Sequence, residues 1–366
     1  MTNPDLLLSD TGYNERMNMS NPTDDTTRVA AIRRTITTID AHAGGEPLRI
    51  VTSGAPGIPT LRGATILDRR REMLEQHDDI RRILMWEPRG HTDMYGAILT
   101  PPVTPEADYG VLFMHNEGYS TMCGHGIIAL TTVLVETGAV AVSDQPSTVR
   151  IGYDTPAGFI QATASVEGGR VTRVAFENVP SFVHADAVPI ETANGPLAVP
   201  VVFGGAFYAL VPAPESLKVE SGNVRELIDF GMTVKHAIES QMEIVHPLEP
   251  DLRGIYGTII TGPPTAGADG RNVTVFADGE VDRSPCGTGT AARLAYLHAT
   301  GALGIGHDYV HESIIGTRFS GQVLRETTVG DRDAIVPEIA GRGFLTGTHT
   351  FIVDPGDPTQ NGFLVR

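Results

Sequence analysis

Met122-Cys123-Gly124-His125-Gly126-Ile127-Ile128-Ala129 and, 163 residues later, Pro285-Cys286-Gly287-Thr288-Gly289-Thr290-Ala291-Ala292 are the two stretches on which the reading of this chain turns. Each places a cysteine directly before Gly-x-Gly. Each continues into about three turns of helix-forming sequence and stops at a glycine, Gly138 in the first and Gly301 in the second. The pair reads as a weak internal repeat and predicts two similar lobes, each offering a Cys at a helix start.

A helix start is a chemically special place for a thiol. Its unpaired backbone N–H groups and partial positive charge favour anions. They should lower a thiol's pKa and can also grip a carboxylate. Glycines beside the Cys let a ligand approach the backbone closely. With two such ends face to face, the α-carbon of a bound amino acid would sit between two sulfurs. One thiolate could remove the α-proton and the other thiol could protonate the opposite face. The competing reading, a phosphate-binding loop, lacks the G-x-G-x-x-G spacing and the Walker lysine.

Working outward, TITTIDAHAG (35–44) reads as a strand entering a Gly-rich turn, and residues 66–86 as one amphipathic helix. YGAILT (95–100) and YGVLFMH (109–115) read as strands. Short strands punctuated by Gly, Pro and Asp follow the first cysteine helix: VRIGYDTPAG, FIQATASV and RVTRVAFENV. A further helix is expected near 222–242, and TVFADGEVD (274–282) reads as a strand leading to the second cysteine. HTFIVD (349–354) reads as a last strand. The first 33 residues are polar and predict a mobile tail, with Met17 and Met19 as alternative starts.

The chain has 366 residues, 41% hydrophobic and 19% charged, enough for a sizeable core and suggestive of two domains. A formal charge of -17 opposes binding to nucleic acid or an anionic membrane surface. No signal sequence or membrane span is read, so a cytoplasmic location is expected. Two cysteines without a C-x-x-C partner predict free thiols rather than a zinc site.

MCGHG (122–126) and DRSPCGTGT (282–290) resemble the two signature motifs of the proline racemase family. Supporting blocks are DAHAGGEPLRIV (40–51), EPRGHTDMYGA (87–97), DTPAG (154–158), NVPSF (178–182), FGGAFYALV (203–211) and ESIIGTRFSGQV (312–323). The resemblance covers nearly everything after the tail. It implies an α/β fold similar to diaminopimelate epimerase: two pseudo-symmetric lobes, each a curved sheet around a central helix. The implied boundaries are 34–185 for the first lobe, completed by about 342–366, and 186–341 for the second. It further implies catalysis without a cofactor such as pyridoxal phosphate and without a metal, and a homodimer.

Carried over position by position, the resemblance makes Cys123 and Cys286 the acid/base pair. It makes Gly124, His125, Gly287 and Thr288 substrate-binding residues, and Asp282 the partner of the substrate ammonium. Phe113 and Phe276 would line the ring pocket. Tyr95 stands where proline racemases commonly have Phe, so its hydroxyl would reach toward the ring. The family holds proline racemases, 4-hydroxyproline 2-epimerases and trans-3-hydroxy-L-proline dehydratases. Typical dehydratases replace the second Cys with Thr, although FMHNEGYSTMCGHG (113–126) looks like the dehydratase branch. Retention of Cys286 leads to the expectation of a racemase or epimerase inverting Cα of proline or hydroxyproline. Dehydration is the alternative, and a non-catalytic proline-binding protein a remote one.

Overall fold

A computed structural model describes residues 34–52, 57–143, 145–192 and 195–365. The tail expected at 1–33 lies outside the described residues.

The architecture is mixed α/β, and its strand pairings repeat. In the first half, Glu46–Val51 runs parallel to Tyr95–Thr100, which pairs antiparallel with Tyr109–His115. Tyr109–His115 then pairs antiparallel with Tyr119–Ser120 and parallel with Ser147–Thr155. In the second half, Phe207–Pro212 runs parallel to Gly257–Gly262, which pairs antiparallel with Gly270–Phe276. Gly270–Phe276 in turn pairs antiparallel with Glu280–Asp282 and parallel with Tyr309–Glu312. An antiparallel meander closes each half, through Gly158–Glu167 and Arg170–Glu177 in the first. Arg318–Val329 and Arg332–Gly341 close the second. The repeat read from the two Cys-Gly-x-Gly stretches is therefore a repeat of the sheet.

Each half wraps one central helix: Gly124–Glu136, nearly all buried, in the first and Gly287–Ala299, buried through most of its first nine residues, in the second. Such helices carry apolar or small residues on every side because sheet surrounds them. The halves join where Val174–Glu177 pairs with Glu338–Gly341. The chain end also returns to the first half, where Gly343–Val353 pairs antiparallel with Arg34–Ala43.

Two expectations are corrected. Residues 66–86 form two helices, Ile66–Gln76 and Asp78–Met85. His77 ends the first with φ near -137°, and Asp78 and Asp79 start the second with acidic groups at a helix N-terminus. Both helices cover a smaller second core against the outer side of the first sheet, around Met73, Ile80, Leu84 and Leu112. Residues 274–282 are not one strand but a hairpin. Ala277 and Gly279 take positive φ, and the Gly279 N–H donates to the Phe276 carbonyl at 3.0 Å. The fold-back sets Asp282 opposite Thr274. Among the described residues no helix is long and apolar enough to cross a membrane.

The two central helices meet at their N-termini. A Cβ placed on Gly124 would lie 2.5 Å from the Gly287 Cα, and one on Gly287 would lie 2.5 Å from the Gly124 Cα. Backbone faces backbone, so neither position can relax by moving a flexible side chain. Gly287→Ala should lower stability by roughly 1–3 kcal/mol as the halves are forced apart. Urea unfolding of the variant beside the native protein measures this, and an unchanged midpoint would contradict the contact.

Candidate active site

Cys123 is the N-cap of the Gly124–Glu136 helix, and its sulfur accepts the Gly126 N–H at 3.2 Å. Cys286 is the N-cap of Gly287–Ala299, and its sulfur accepts the Gly289 N–H at 3.3 Å. A thiol thus stands where serine or aspartate commonly caps. The two caps differ in backbone. Cys123 is extended at φ -146°, whereas Cys286 sits at φ +63°, a region disfavoured for side-chain-bearing residues. Such a conformation costs of order 1–3 kcal/mol and persists because its surroundings hold it. Here Ser284 Oγ accepts the Cys286 N–H at 3.0 Å, and the Asp282 carboxylate accepts the Ser284 N–H at 2.8 Å.

Both cysteines line one small cavity of about 20 Å³ together with Gly124, His125, Asp282, Gly287, Thr288, Phe276 and Tyr95. Nine of the ten residues singled out from the sequence therefore surround one space. Phe113 does not. It is fully buried beneath the first turn of its helix, its ring 2.5 Å from where a Gly126 Cβ would stand. Its side chain serves helix packing, while Phe276, on the equivalent strand of the second half, reaches the cavity. Glu46, Met122, Tyr208, Tyr256 and Thr274 complete the lining and were not singled out. Glu46 and Tyr208 lie inside quoted blocks, GGEP and FGGAFYALV, where nothing but context distinguishes them. Thr274 would follow from the register that opposes it to Asp282.

The wall has a hydroxyl side. Tyr95 Oη hydrogen-bonds Ser120 Oγ and lies 3.2 Å from Tyr256 Oη. The Tyr256 ring stacks on Phe276 at 5.3 Å. Behind them, His115 stacks on Tyr95 and pairs through Nδ1 with the buried Glu280 at 3.1 Å, bridging the two halves. Tyr256 also borders a neighbouring cavity of about 380 Å³ that carries Arg70, Lys235 and Arg253. Tyr208 Oη lies 2.6 Å from Thr288 Oγ1 and 3.8 Å from the Cys286 sulfur. Among the described residues no group of three or more His, Cys, Asp and Glu side chains is arranged to hold a metal ion.

A thiol pKa lowered by the helix N-terminus does not describe this site. Burial raises the Cys123 thiol well above its ordinary value, the Gly126 N–H opposing. Burial, with the Asp282 charge adding to it, pushes Cys286 up to about 12. A single N–H at 3.2 or 3.3 Å does not replace the water that an exposed thiolate would have. Burial also pushes His125 down to about 3, so its imidazole is neutral. That ring hydrogen-bonds the Pro47 carbonyl and stands with Nδ1 3.2 Å from the Cys123 sulfur. The nitrogen facing Pro47 must then carry the proton, and Nδ1 is left to accept the Cys123 S–H.

These shifts carry a stability consequence with a definite sign. Cys286 binds its proton more tightly folded than unfolded, so stability is full below the unfolded value of about 8.5. It falls as pH rises from there toward about 12. Urea unfolding between about pH 8.5 and 10 should show the native protein losing about 1 kcal/mol per pH unit more than Cys286→Ala. Equal slopes would show that the thiol is not protonated in the folded chain.

The chain is similar to known proteins over most of its length. A hydroxyproline epimerase from Agrobacterium vitis, solved with trans-4-hydroxy-L-proline bound, superposes with a TM-score of 0.84 at 33% identity. The match covers 91% of this chain and 96% of that one. A trans-3-hydroxy-L-proline dehydratase of Bacillus cereus is 51% identical over 336 residues, 91% of this chain and 99% of the relative. A 3-hydroxyproline 2-epimerase of Burkholderia multivorans is 48% identical over 338 residues, 92% of this chain and 99% of the relative. Further relatives in Azospirillum and Burkholderia at 49–50% identity are again trans-3-hydroxy-L-proline dehydratases. The expectation of a proline or hydroxyproline racemase, drawn from the retained Cys286, is thereby overturned in favour of dehydration. The proline racemase family model matches residues 38–364. The protein is an enzyme of the proline racemase family.

Proposed function

We propose that this enzyme is a trans-3-hydroxy-L-proline dehydratase. The observation that carries the reading is the 51% identity, over 99% of its length, to a relative of that activity. The stereochemistry of the substrate explains why a second cysteine does not argue against it. In trans-3-hydroxy-L-proline the 3-hydroxyl is trans to the carboxylate, so it lies on the same ring face as the α-hydrogen. A single sulfur on that face meets both leaving groups.

The two helix N-termini supply N–H donors for the substrate carboxylate, and Asp282 meets the ring ammonium. Cys123, the cysteine common to both branches of the family resemblance, acts as the base. Its thiol gives up its proton to solvent as the charged substrate enters, and the thiolate is stabilised by the Gly126 N–H. The thiolate takes the α-proton, and the freed electron pair forms the C2–C3 double bond. The C3–O bond breaks, and the departing hydroxide takes the proton now on Cys123. The products are water and a cyclic enamine, which gains a proton at C3 and loses one at nitrogen to become the imine. Tyr95 and Tyr256 place hydroxyls on the ring side of the pocket, where they can orient the 3-hydroxyl. Exclusion of water from so small a site strengthens each of these contacts.

The test is to incubate the protein separately with trans-3-hydroxy-L-proline, trans-4-hydroxy-L-proline and L-proline in D₂O and follow the products by NMR. Loss of the ring hydroxyl with appearance of the imine is expected for the 3-hydroxy substrate alone. Inversion at Cα with the hydroxyl retained would overturn the reading. Cys123→Ser should lower the dehydration rate by roughly 100-fold or more, as loss of a general base does. Cys286→Ser should keep most of it.

A further inference from the structure

Of the two carboxylates lining the catalytic cavity, Asp282 already has hydrogen-bond donors. It accepts the Ser284 N–H at 2.8 Å and also interacts with the Cys286 thiol. Glu46 is arranged differently. It is fully buried at the start of the Glu46–Val51 strand, in the first half of the fold. Its Oε2 accepts the Arg283 backbone N–H of the second half at 2.8 Å and forms an ion pair with the Arg283 guanidinium, Nε at 3.0 Å. Its Oε1 is buried and accepts no hydrogen bond among the described residues. A carboxylate oxygen removed from water without a donor is costly. Retaining one on the wall of a ligand cavity points to a donor that arrives with the ligand.

The donor can be assigned by position. A cyclic amino acid offers its ring ammonium, with two N–H groups, and any ring hydroxyl. One hydroxyl-bearing wall is that of Tyr95 and Tyr256. Glu46 belongs elsewhere: its Oε2 accepts the backbone N–H of Arg283, the residue next in the chain to Asp282. It therefore stands at the Asp282 end, where the ammonium is held. Burial raises the Glu46 carboxyl well above its usual range with the Arg283 charge opposing, and a substrate ammonium beside it would oppose that further.

We propose that Glu46 is a substrate-binding residue whose Oε1 accepts the second N–H of the ring ammonium, Asp282 accepting the first. Arg283 is the positioning residue that holds Glu46 in place across the two halves. Recognition by two carboxylates fits a secondary ammonium, whose two hydrogens diverge to opposite sides of the ring. It discriminates against ring carboxylates without a charged nitrogen. The inference rests on the proline-type substrate proposed above, not on the fate of its hydroxyl.

The experiment compares two rings that cannot be dehydrated, L-proline and cyclopentanecarboxylate, in which CH₂ replaces the ammonium. Binding of each is measured by calorimetry to the native enzyme and to Glu46→Gln. Loss of a charge-assisted hydrogen bond should weaken L-proline roughly 10- to 100-fold. Cyclopentanecarboxylate should change by less than about threefold, since it has no N–H to lose. Equal loss for both rings would overturn the proposal, because it would reduce Glu46 to a bridge between the halves. Unchanged L-proline binding, or none to the native enzyme at millimolar concentration, would overturn it as well. Should Glu46→Gln fail to fold, Glu46→Asp makes the same comparison, and the same selective loss for L-proline is required. Failure of the dehydratase reading is seen separately, in the NMR products.

Discussion

Two helix N-termini pressed against each other, glycine to glycine, set the terms for everything around them. Each end carries unpaired N–H groups and about half a positive charge, so the arrangement is self-repelling. The surrounding sheet holds it, through the pairing of Val174–Glu177 with Glu338–Gly341 and through buried side-chain contacts. Glu46 to Arg283 and His115 to Glu280 both run from one half to the other beside the cavity. An anion between the helix ends relieves the repulsion. The fold thus creates a demand for a carboxylate before any side chain specifies which one.

The same closeness explains the state of the thiols. The cavity is large enough for a water molecule and too small for a proline ring, so the sulfurs see protein on nearly every side. Burial outweighs the helix N-terminus, and both thiols are held in their protonated form. Ionisation becomes favourable only when other charges enter. A bound ammonium would cancel the Asp282 charge that now opposes the Cys286 thiolate. Reactivity is then coupled to occupancy, and a neutral thiol resists oxidation and side reactions while it waits.

Much of this was legible from the chain. A cysteine before Gly-x-Gly, twice, with helix-forming sequence after each, located the helix starts, the pocket between them and the repeated sheet. What escaped was decided by register and depth. Phe113 and Phe276 look equivalent in sequence, but only the second reaches the cavity, and strand composition does not reveal which. Glu46 sits in a Gly-Gly-Glu-Pro turn where an acidic residue would ordinarily face water. The break at His77 needed the two aspartates after it to be read as a new start rather than as a polar face. The reaction was not legible from Cys286: a second thiol is required to invert a centre, but its presence does not prevent elimination on one face.

The last strand has a consequence for how the molecule comes to exist. Gly343–Val353 lies along Arg34–Ala43, and Gly343 comes so close to the first central helix that a Cβ there would stand 2.7 Å from Thr132 Oγ1. The beginning of the fold is thus sealed by nearly its final residues. During synthesis the first half leaves the ribosome with one edge of its sheet unpaired and its helix partly uncovered, a contact of very long sequence separation still to be made. The second half carries all of its own strands and can form as it emerges. The half that begins the chain is the last to be finished.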